Sequence, residues 1–578
     1  MNTFTRLADN SKKDKTGMAK YRLAIVGDCA TQHLATAITG YAYMLNLAID
    51  IYDADYDQIY PQVINKDSEM YAFQPDAILL YMCTEKLYTL WCETIQDDRI
   101  VFAETINSQI LDYRKHISKN SKASIIQFTF VLNDDFVFGN YACNHKESFI
   151  YQLRKLNMLL MEEASAGKNV FFVDLCTIQT QIGRNNMFDP KLYYIAKMPI
   201  SLKALPLVAA NIVSVIQALR GAIIKCVILD LDNTLWGGVI GDDGISGIEI
   251  GGLGNGYAFS DFQKWLKELK KRGILLAVCS KNEEPTAKEP FEKHDEMVLR
   301  LDDFSVFIAN WEDKAANIHT IQQTLNIGME SIVFIDDNPF ERDLVRSLIP
   351  EITVPDLPED PAGYISYIQS LNLFETASFS DEDAGRTEQY RAEIQRVAMQ
   401  QQYKSYDEYL QNLEMSTTVK QFDELHIPRI AQLTQRSNQF NLRTVRYTES
   451  EIESIANDDN HITLYFKLKD KLADYGLISI IILEKQPDKT LFINTWLMSC
   501  RVLKRGMEEF IINKIIETAG QHKYETIIGE YIETKKNAMV KDIYTRMGFS
   551  QTGENVYTAN TSSFKPNKTF IAEQKEGQ

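Results

Sequence analysis

The sequence lacks the features of a membrane or secreted protein. None of its apolar runs approaches the roughly 20 residues that a membrane-spanning helix needs. Residues 1–20 are polar and of mixed charge, without the apolar core of a secretory signal. The eight cysteines are widely spaced and include no CxxC pair, so their spacing predicts neither a disulfide framework nor a zinc site. We expect a cytoplasmic protein with no membrane partner.

Basic charge is also scarce. The chain has 61 Lys and Arg residues against 79 Asp and Glu residues, a net charge of -18. A nucleic-acid binder needs a strong basic field to neutralise phosphates, so we expect no nucleic-acid partner. An acidic protein could bind only at a local basic patch. The composition, 45% hydrophobic and 24% charged over 578 residues, is that of a globular chain with three or four domains.

Hydrophobic patterning divides the chain into segments. Apolar strand-like runs alternate with helical patterns in the first part, which predicts a parallel α/β sheet. A second alternation of this kind begins with the strand IIKCVILDLD and ends near a proline-rich stretch. We predict, in chain order, a flexible arm (1–20), an α/β domain (21–221), a second α/β domain (222–355), a helical connector (356–415), an α+β domain (416–562) and a flexible tail (563–578).

The segment DLDNTLWGG places two carboxylates at the end of a hydrophobic strand. Alternation along a strand directs Asp230 and Asp232 to one side. One carboxylate can attack phosphorus, and the other can bind and release the proton of the leaving group. Taken alone, such a pair could equally be a solvated turn.

Three further elements favour phosphoryl transfer. Ser280 ends the strand ILLAVCS and can donate to a phosphoryl oxygen, while Lys314 in NWEDK can neutralise a pentacoordinate phosphorus. The strand SIVFIDDNP ends in Asp336 and Asp337, whose hard oxygens suit octahedral Mg²⁺. Four such elements in this order predict a magnesium-dependent phosphoryl-transfer domain.

This order resembles the haloacid dehalogenase (HAD) superfamily. The resemblance implies Asp230 as nucleophile, Asp232 as acid/base and a Mg²⁺ ion held by Asp230, Asp336, Asp337 and the backbone carbonyl of Asp232. The residues that it implies for phosphate or substrate binding are Asn233, Thr234, Ser280, Lys281, Asn282 and Lys314. The gaps between these motifs are too short for a large cap domain, and a glycine-dense flap fills 237–256.

A narrower resemblance covers nearly the whole chain after residue 20. The segments LDLDNTLWGGVIGDDG, AVCSKNEE, FIDDNPFERDLVR and TQRSNQFNLRTVRY look like FkbH-like proteins of polyketide pathways. The resemblance implies a glyceryl transferase/phosphatase that dephosphorylates 1,3-bisphosphoglycerate and loads the glyceryl group onto the phosphopantetheine thiol of an acyl carrier protein. Cys279 adjoins Ser280 at the mouth of the same site and is predicted to carry a transient glyceryl thioester. The alternative is a small apolar strand residue.

The N-terminal domain is similar to SGNH-type hydrolases. Gly27, Asp28 and Cys29 stand at the first strand end, with Cys29 in the serine position. Asp189 is followed three residues later by Leu192 instead of histidine, so the serine-type relay lacks its base. We predict a degenerate structural or docking domain. The alternative makes Cys29 a thiol nucleophile, with His33 as partner.

The C-terminal domain resembles the GNAT acyltransferase fold. MSCRVLKRGMEEFIINKI stands where such enzymes bind pyrophosphate, but Met507 departs from the glycine-rich motif. Binding of the pantetheine arm and acidic surface of a carrier protein is therefore predicted in place of acetyl-CoA binding. The residues predicted for it are Arg501, Lys504, Arg505 and Asn537. A solvated helix start is the alternative.

The predicted fold class is thus α/β, with a HAD-like parallel sheet between an SGNH-like α/β domain and a GNAT-like α+β domain. Besides acyl loading, two functions remain open. One is a Mg²⁺-dependent HAD phosphatase acting on a small phosphorylated metabolite. The other is a scaffold that keeps the HAD domain for docking, which the intact set of motif residues disfavours.

Overall fold

The structure is a computed structural model that describes residues 3–574, except 134, 167–168, 379–395, 397–398, 400–402, 404, 438, 500–501 and 535–536. It divides into two compact units, 1–217 and 218–578. Across the described ranges, the longest apolar helices fall short of what a membrane crossing requires.

The first unit is built on five parallel strands in the order β2-β1-β3-β4-β5. The sheet confirms the predicted parallel α/β architecture, because consecutive strands are joined by helical crossovers. The strands are β1 Ala19–Gly27, β2 Leu47–Asp53, β3 Ala77–Tyr81, β4 Ser124–Phe128 and β5 Val170–Val173. The helices are α1 Phe4–Ser11, α2 Gln32–Met44, α3 Ile59–Ile64, α4 Glu69–Ala72, α5 Thr84–Glu93, α6 Phe102–Asn120, α7 Phe149–Ala166, α8 Leu175–Ile182, α9 Arg184–Met187, α10 Pro190–Ala196 and α11 Leu205–Leu219.

Helix α1 corrects the prediction of a flexible arm over 1–20. Leu7 is fully buried against α2. The contact is close because Gly40 has no side chain, and a Cβ there would lie 1.9 Å from the Leu7 carbonyl oxygen. Phe4 stacks on His33 with 5.2 Å between ring centroids. The amphipathic helix is therefore part of the first unit.

The second unit begins with a four-stranded parallel sheet in the order β8-β7-β6-β9. Its strands are β6 Cys226–Leu229, β7 Leu275–Ser280, β8 Phe304–Ala309 and β9 Ile332–Ile335. One face packs on α13, α14 and α17, and the other on α15 and α16. The helices are α12 Ile240–Asp243, α13 Gly254–Lys271, α14 Glu284–Lys293, α15 Lys314–Leu325, α16 Pro339–Leu348 and α17 Tyr364–Ser370.

The remainder of the second unit is α+β. Antiparallel strands β12, β13 and β14 are followed by β15, which pairs parallel with β14 and antiparallel with β17. This mixed order, with a long helix between β14 and β15, is the predicted GNAT-like fold. Its strands are β10 Ser416–Lys420, β11 Phe440–Asn441, β12 His461–Lys469, β13 Asp474–Gln486, β14 Thr490–Met498, β15 Thr526–Glu530, β16 Ser550–Gly553, β17 Val556–Asn560 and β18 Ala572–Glu573. Its helices are α18 Tyr406–Asn412, α19 Ile427–Arg436, α20 Glu449–Ala456, α21 Met507–Gln521 and α22 Ile543–Arg546.

The tail and the connector also differ from the prediction. Within the predicted flexible tail, β18 pairs parallel with β10, and the side chain of Ile571 is buried. These contacts add a strand to the sheet, so the described part of the tail is ordered. The connector contains α17 and α18, but most of the predicted helical segment between them lies outside the described residues.

Candidate functional site

The predicted carboxylates meet at the carboxyl ends of two parallel neighbours. Leu229 of β6 pairs with Ile335 of β9, and the N–H of Asp230 donates to the Ile335 carbonyl at 3.0 Å. Asp230 and Asp336 therefore leave adjacent strands at the same edge, where α/β sheets bind their ligands. Lys314 comes to this edge as the first residue of α15, whose N-terminus is capped by the Asp313 carboxylate.

Lys314 joins the two carboxylates. Its Nζ lies 3.1 Å from Asp230 Oδ2 and 2.6 Å from Asp336 Oδ2, and its side chain is 3% exposed. Burial acts to lower the pKa of Lys314, but the charges of Asp230 and Asp336 outweigh it and raise that pKa. Burial and the Asp230 charge raise the pKa of Asp336 to about 7. The lysine is thus held as a cation between acidic groups.

Asp230, Asp336 and Asp337 form a candidate metal centre. One carboxylate oxygen from each lies within 4.8 Å of the others. Asp230 Oδ1 is buried and has no hydrogen-bond partner among the described residues. An all-oxygen set of this kind fits a hard cation such as Mg²⁺, which would satisfy the orphaned oxygen. Burial, followed by the Asp230 charge, raises the pKa of Asp337, and a cation would oppose both effects.

The Asp232 carboxylate lies outside this group and is held by three donors. Its Oδ1 accepts from Trp236 Nε1 and from the Ile240 N–H, each at 3.0 Å, and its Oδ2 accepts from Asn282 Nδ2 at 2.8 Å. The side chain is therefore no metal ligand in this arrangement, and the contribution of its backbone carbonyl stays a prediction. Asn282 also donates to Ser280 Oγ at 3.2 Å, so it positions two predicted site residues.

Thr234 and Asn233 support neighbouring parts of the site. Thr234 is fully buried, and its Oγ1 accepts from the N–H of Asp337 at 3.2 Å. Asn233 has a positive φ of 53°, and its Oδ1 accepts from the Gly238 N–H at 2.9 Å, which ties it to the flap. Both side chains therefore stabilise the loops at the strand ends. The predicted contacts of Asn233 and Thr234 with substrate stay predictions.

Lys281 and Cys279 flank Ser280 on β7. Lys281 Nζ lies 2.5 Å from Glu341 Oε1, and 37% of its side chain is exposed. Cys279 belongs to the apolar cluster on the α15 and α16 face, with its Sγ 3.7 Å from the Lys314 carbonyl oxygen. Burial raises the pKa of the Cys279 thiol, which is fully covered.

This placement corrects the expectation that Cys279 stands at the mouth of the site. Strand alternation puts it with Ala277 and Leu275 on the covered face of β7. A buried thiol with a raised pKa is a poor nucleophile. The position favours the alternative of a small apolar strand residue, and the acyl role stays a prediction.

A pocket of about 710 Å³ opens beside Asp337. The glycine-dense flap supplies one wall and the start of the connector supplies the other. Tyr364 in the connector donates its hydroxyl to the Asn233 carbonyl at 2.9 Å. Sequence reasoning missed this wall, because the proline-rich stretch reads as an exit from the domain. The lining residues are Asn233, Gly237, Gly238, Glu249, Asn255, Phe259, Asp337, Pro339, Arg342, Leu357, Pro358, Glu359, Pro361 and Tyr364.

Arg342 is a second missed residue. It lies one turn into α16, and its Nη1 donates to the carbonyl oxygens of Asp336 at 2.9 Å and Asp337 at 2.6 Å. The side chain is almost wholly buried. Arg342 therefore fixes the backbone that carries two of the three metal-site carboxylates. Its place in the sequence FERDLVR, just after the paired aspartates, is the signal that could have found it.

One residue of the predicted basic patch is structural. Arg505 is buried, with its guanidinium 4.8 Å from the Tyr475 ring centroid and 3.8 Å from Asp470 Oδ2. Its predicted contact with an acidic carrier is therefore corrected. Lys504 is exposed and precedes α21, and Arg501 lies outside the described residues, so their carrier-binding role stays a prediction.

Asn537 is also buried, and both polar atoms of its side chain are hydrogen-bonded. Its Nδ2 donates to the carbonyls of Asn441 and Ile532, each at 2.9 Å, and its Oδ1 accepts from the Thr534 N–H at 2.8 Å. A side chain with no exposed surface cannot contact a pantetheine arm without unfolding its own loop. Its predicted binding role is corrected to a structural one.

In the first unit, the residues that were compared with a hydrolase relay make separate structural contacts. Asp189 caps α10 by accepting from the N–H groups of Lys191 and Leu192. His33 is stacked on Phe4, and Cys29 is buried at the end of β1. The degenerate structural or docking role of this domain stays a prediction.

Comparisons with known proteins agree with this geometry. A family model described as the FkbH N-terminal domain matches residues 22–217. A crystal structure of the N-terminal part of the protein BF1531 from Bacteroides fragilis, containing a phosphatase domain complexed with Mg, is 46% identical, with a TM-score of 0.63. The match covers 66% of this chain and 100% of that one.

More distant matches fall on about a quarter of the chain. The ribosomal-protein-S18-alanine N-acetyltransferase from Escherichia coli is 13% identical with a TM-score of 0.21, over 26% of this chain and 98% of that one. The spermidine/spermine N-acetyltransferase SpeG from Vibrio cholerae is 12% identical with a TM-score of 0.21, over 26% of this chain and 96% of that one. A search of curated proteins gives no match.

The family follows from the first two comparisons. The 46% identity extends over the whole of the Bacteroides chain, and the family model covers the first unit. The motif residues that carry the resemblance converge at one edge of the HAD-like sheet. The chain therefore belongs to the FkbH-like proteins.

Proposed function

We propose that the chain is a Mg²⁺-dependent HAD-type phosphatase and glyceryl transferase. It would dephosphorylate 1,3-bisphosphoglycerate and load the glyceryl group onto the phosphopantetheine thiol of an acyl carrier protein. The observation that supports phosphoryl transfer is the environment of the two Asp230 carboxylate oxygens. Asp230 Oδ2 is paired with Lys314, and Asp230 Oδ1 is buried in the candidate metal centre with no hydrogen-bond partner among the described residues.

Phosphoryl transfer then uses the two strand-end carboxylates. The Asp230 carboxylate attacks phosphorus, the bond to the leaving oxygen breaks, and Asp232 supplies the proton to that oxygen. Water attacks the resulting aspartyl phosphate, and Asp232 takes a proton from the water. The three donors on Asp232 support this role because they hold the carboxylate in one orientation beside the site.

Cations offset the charge that develops on the phosphoryl oxygens. Mg²⁺ held by Asp230, Asp336 and Asp337 would act as a Lewis acid on those oxygens. Lys314 adds a second positive charge, fixed by two ion pairs and so costing no reorganisation during the reaction. Ser280 Oγ, held by Asn282, is available to donate to a phosphoryl oxygen.

The acyl half moves the glyceryl group from phosphate to sulfur. The carrier thiol forms a bond to the acyl carbon, the bond from that carbon to the phosphate oxygen breaks, and the thiol proton ends on the released phosphate. Water hydrolyses the remaining phosphate ester to a hydroxyl group and inorganic phosphate. The pocket of about 710 Å³ beside Asp337 supports a small-molecule substrate next to the metal centre, because its volume lies within the range of ligand pockets.

A plain phosphatase acting on a small phosphorylated metabolite is the second candidate. It is favoured by the burial of Cys279, which leaves the HAD-like site with no exposed cysteine to accept an acyl group among the residues around β7. Under this candidate the carrier protein changes nothing. Phosphate is released at the same rate with and without it.

The test is intact-protein mass spectrometry of a phosphopantetheinylated carrier protein. It is incubated with this protein, Mg²⁺ and freshly generated 1,3-bisphosphoglycerate. We expect a mass gain of one glyceryl group that is absent with Asp230→Asn. Phosphate release without a mass gain, across several carrier proteins, would establish the plain phosphatase instead.

Cys279→Ala separates the acyl routes. Loading at the full rate would show direct transfer to the carrier thiol. Loss of loading with phosphate release intact would show that Cys279 becomes exposed during turnover and accepts the glyceryl group. Cys226→Ala is the matched control, because Cys226 is a buried cysteine of the same apolar cluster on the adjacent strand.

A further inference from the structure

A second group of metal-ligating side chains lies in the first unit, at the carboxyl ends of β1 and β3. Gly27 pairs with Tyr81, and the N–H of Asp28 extends the ladder by donating to the Tyr81 carbonyl at 3.1 Å. Cys29 and Cys83 each follow two residues beyond that pair. Neighbouring strands run about 4.8 Å apart, so the register brings the two cysteines side by side.

The donor atoms converge. Asp28, Cys29 and Cys83 each offer one ligand atom, and these atoms lie within 4.8 Å of one another. All three side chains are buried, with Cys29 2% and Cys83 3% exposed. Asp28 Oδ1 accepts from the Cys83 N–H at 2.9 Å, which fixes the carboxylate beside the thiols. Such a backbone bond orients a ligand before the cation arrives.

A cavity of about 20 Å³ adjoins the cluster at Cys83 alone and is lined also by Thr84 and Glu85, with apolar walls from Phe130 and Leu175. Its volume exceeds the roughly 10–15 Å³ that a water molecule needs. Zinc sites with three protein ligands keep a fourth position for water.

We propose that Asp28, Cys29 and Cys83 form a site for a divalent cation of the zinc class, bound through two thiolates and one carboxylate. Binding forms two metal–sulfur bonds and one metal–oxygen bond, and the two thiol protons go to solvent. Soft thiolate ligands select Zn²⁺ or Co²⁺ over Mg²⁺. The oxygen-only group at Asp230 has the opposite preference, so the chain would hold two chemically distinct metal sites.

The test is titration of the full-length, metal-free protein with Co²⁺. Cobalt bound to thiolates absorbs in the near ultraviolet by charge transfer, whereas cobalt bound only to carboxylates does not. We expect one such site per chain, lost in Cys29→Ser and in Cys83→Ser and displaced by Zn²⁺. Cys92→Ser and Cys143→Ser are the matched controls, because these two cysteines are exposed and would collect cobalt adventitiously.

A second readout keeps the proposal falsifiable if a cysteine variant fails to fold. Zn²⁺ added in weak buffer should release at least two protons per metal, and Asp28→Asn, which keeps both thiols, should bind at least 10-fold more weakly. The absence of a charge-transfer band would overturn the proposal. So would a band that survives both cysteine variants, or a loss of two hydrogens in mass that maps to a Cys29–Cys83 disulfide.

Discussion

Replacing Lys314 with methionine tests the central ion-pair geometry. The ammonium lies 3.1 Å and 2.6 Å from two carboxylate oxygens, and Coulomb's law at an effective dielectric constant of about 20 gives about 5–6 kcal/mol for each pair. Desolvation cancels much of that sum, and removing one partner of a buried pair costs about 3–5 kcal/mol of unfolding free energy. The loss of a preorganised positive charge should lower kcat about 100- to 1,000-fold.

The measurements separate stability from catalysis. Urea unfolding gives the free energy with and without Mg²⁺, and phosphate release from 1,3-bisphosphoglycerate gives kcat. We expect Mg²⁺ to restore part of the lost stability of Lys314→Met, since the cation binds the same carboxylates. Lys270→Met is the matched control, because it removes a lysine paired at 2.8 Å with buried Asp303, away from the site. It should leave kcat unchanged. A Lys314→Met kcat within a few-fold of wild type would refute the proposed role.

Three further predictions follow from buried polar contacts. Asn282→Ala should lower kcat about 10- to 100-fold with KM unchanged, because Asp232 loses an orienting donor; a change confined to KM would contradict this. Asp303→Asn should cost about 1.5–3 kcal/mol of unfolding free energy near pH 7, since the carboxylate loses charged hydrogen bonds. Burial acts to raise the pKa of Asp303, but contacts that include the Lys270 ammonium outweigh it and lower that pKa below 3.8. The Asp303 carboxylate therefore contributes its full stabilisation well above pH 3.8. Urea unfolding at a series of pH values should show this contribution disappearing as the pH falls below 3.8. Asn537→Ala should cost about 1–3 kcal/mol for each buried partner left unpaired, by thermal unfolding, while carrier acylation below the melting temperature stays unchanged.

The strand-end residues of the HAD-like site could be predicted because parallel topology determines their meeting point. Asp230 and Asp336 each directly follow a strand that the apolar pattern makes visible, and Lys314 is the first residue of a helix. The carboxyl ends of parallel strands share one edge. The face that Cys279 occupies could also have been deduced. Cys279 lies two residues after Ala277 on β7, so both side chains point to the same face, and both are buried in one apolar cluster.

Two edge strands and the structural polar residues could not be predicted in this way. β2 and β8 lie at sheet edges, and several of their side chains are only partly buried. Arg505 and Asn537 read as surface residues from local sequence. Their partners, Asp470 and Asn441, are distant in sequence, and a contact of that kind leaves no local pattern.

The sequence spacing of the cysteines was similarly uninformative. Zinc motifs are recognised when ligands lie a few residues apart. Cys29 and Cys83 stand on different strands and become neighbours only through the register of β1 against β3. A site built across a parallel sheet has no short motif.

The wall formed by Tyr364 has a consequence for dividing the protein into parts. Tyr364 belongs to α17, beyond the predicted end of the HAD-like domain, yet it lines the pocket and donates to the Asn233 carbonyl. A fragment ending at residue 355 would keep the carboxylates of the candidate metal centre and lose one side of the pocket beside Asp337. Kinetic constants measured on such a fragment would describe a more open and less selective enzyme than the intact chain. Fragments intended for inhibitor screening should therefore extend at least through Ser370, the last residue of α17.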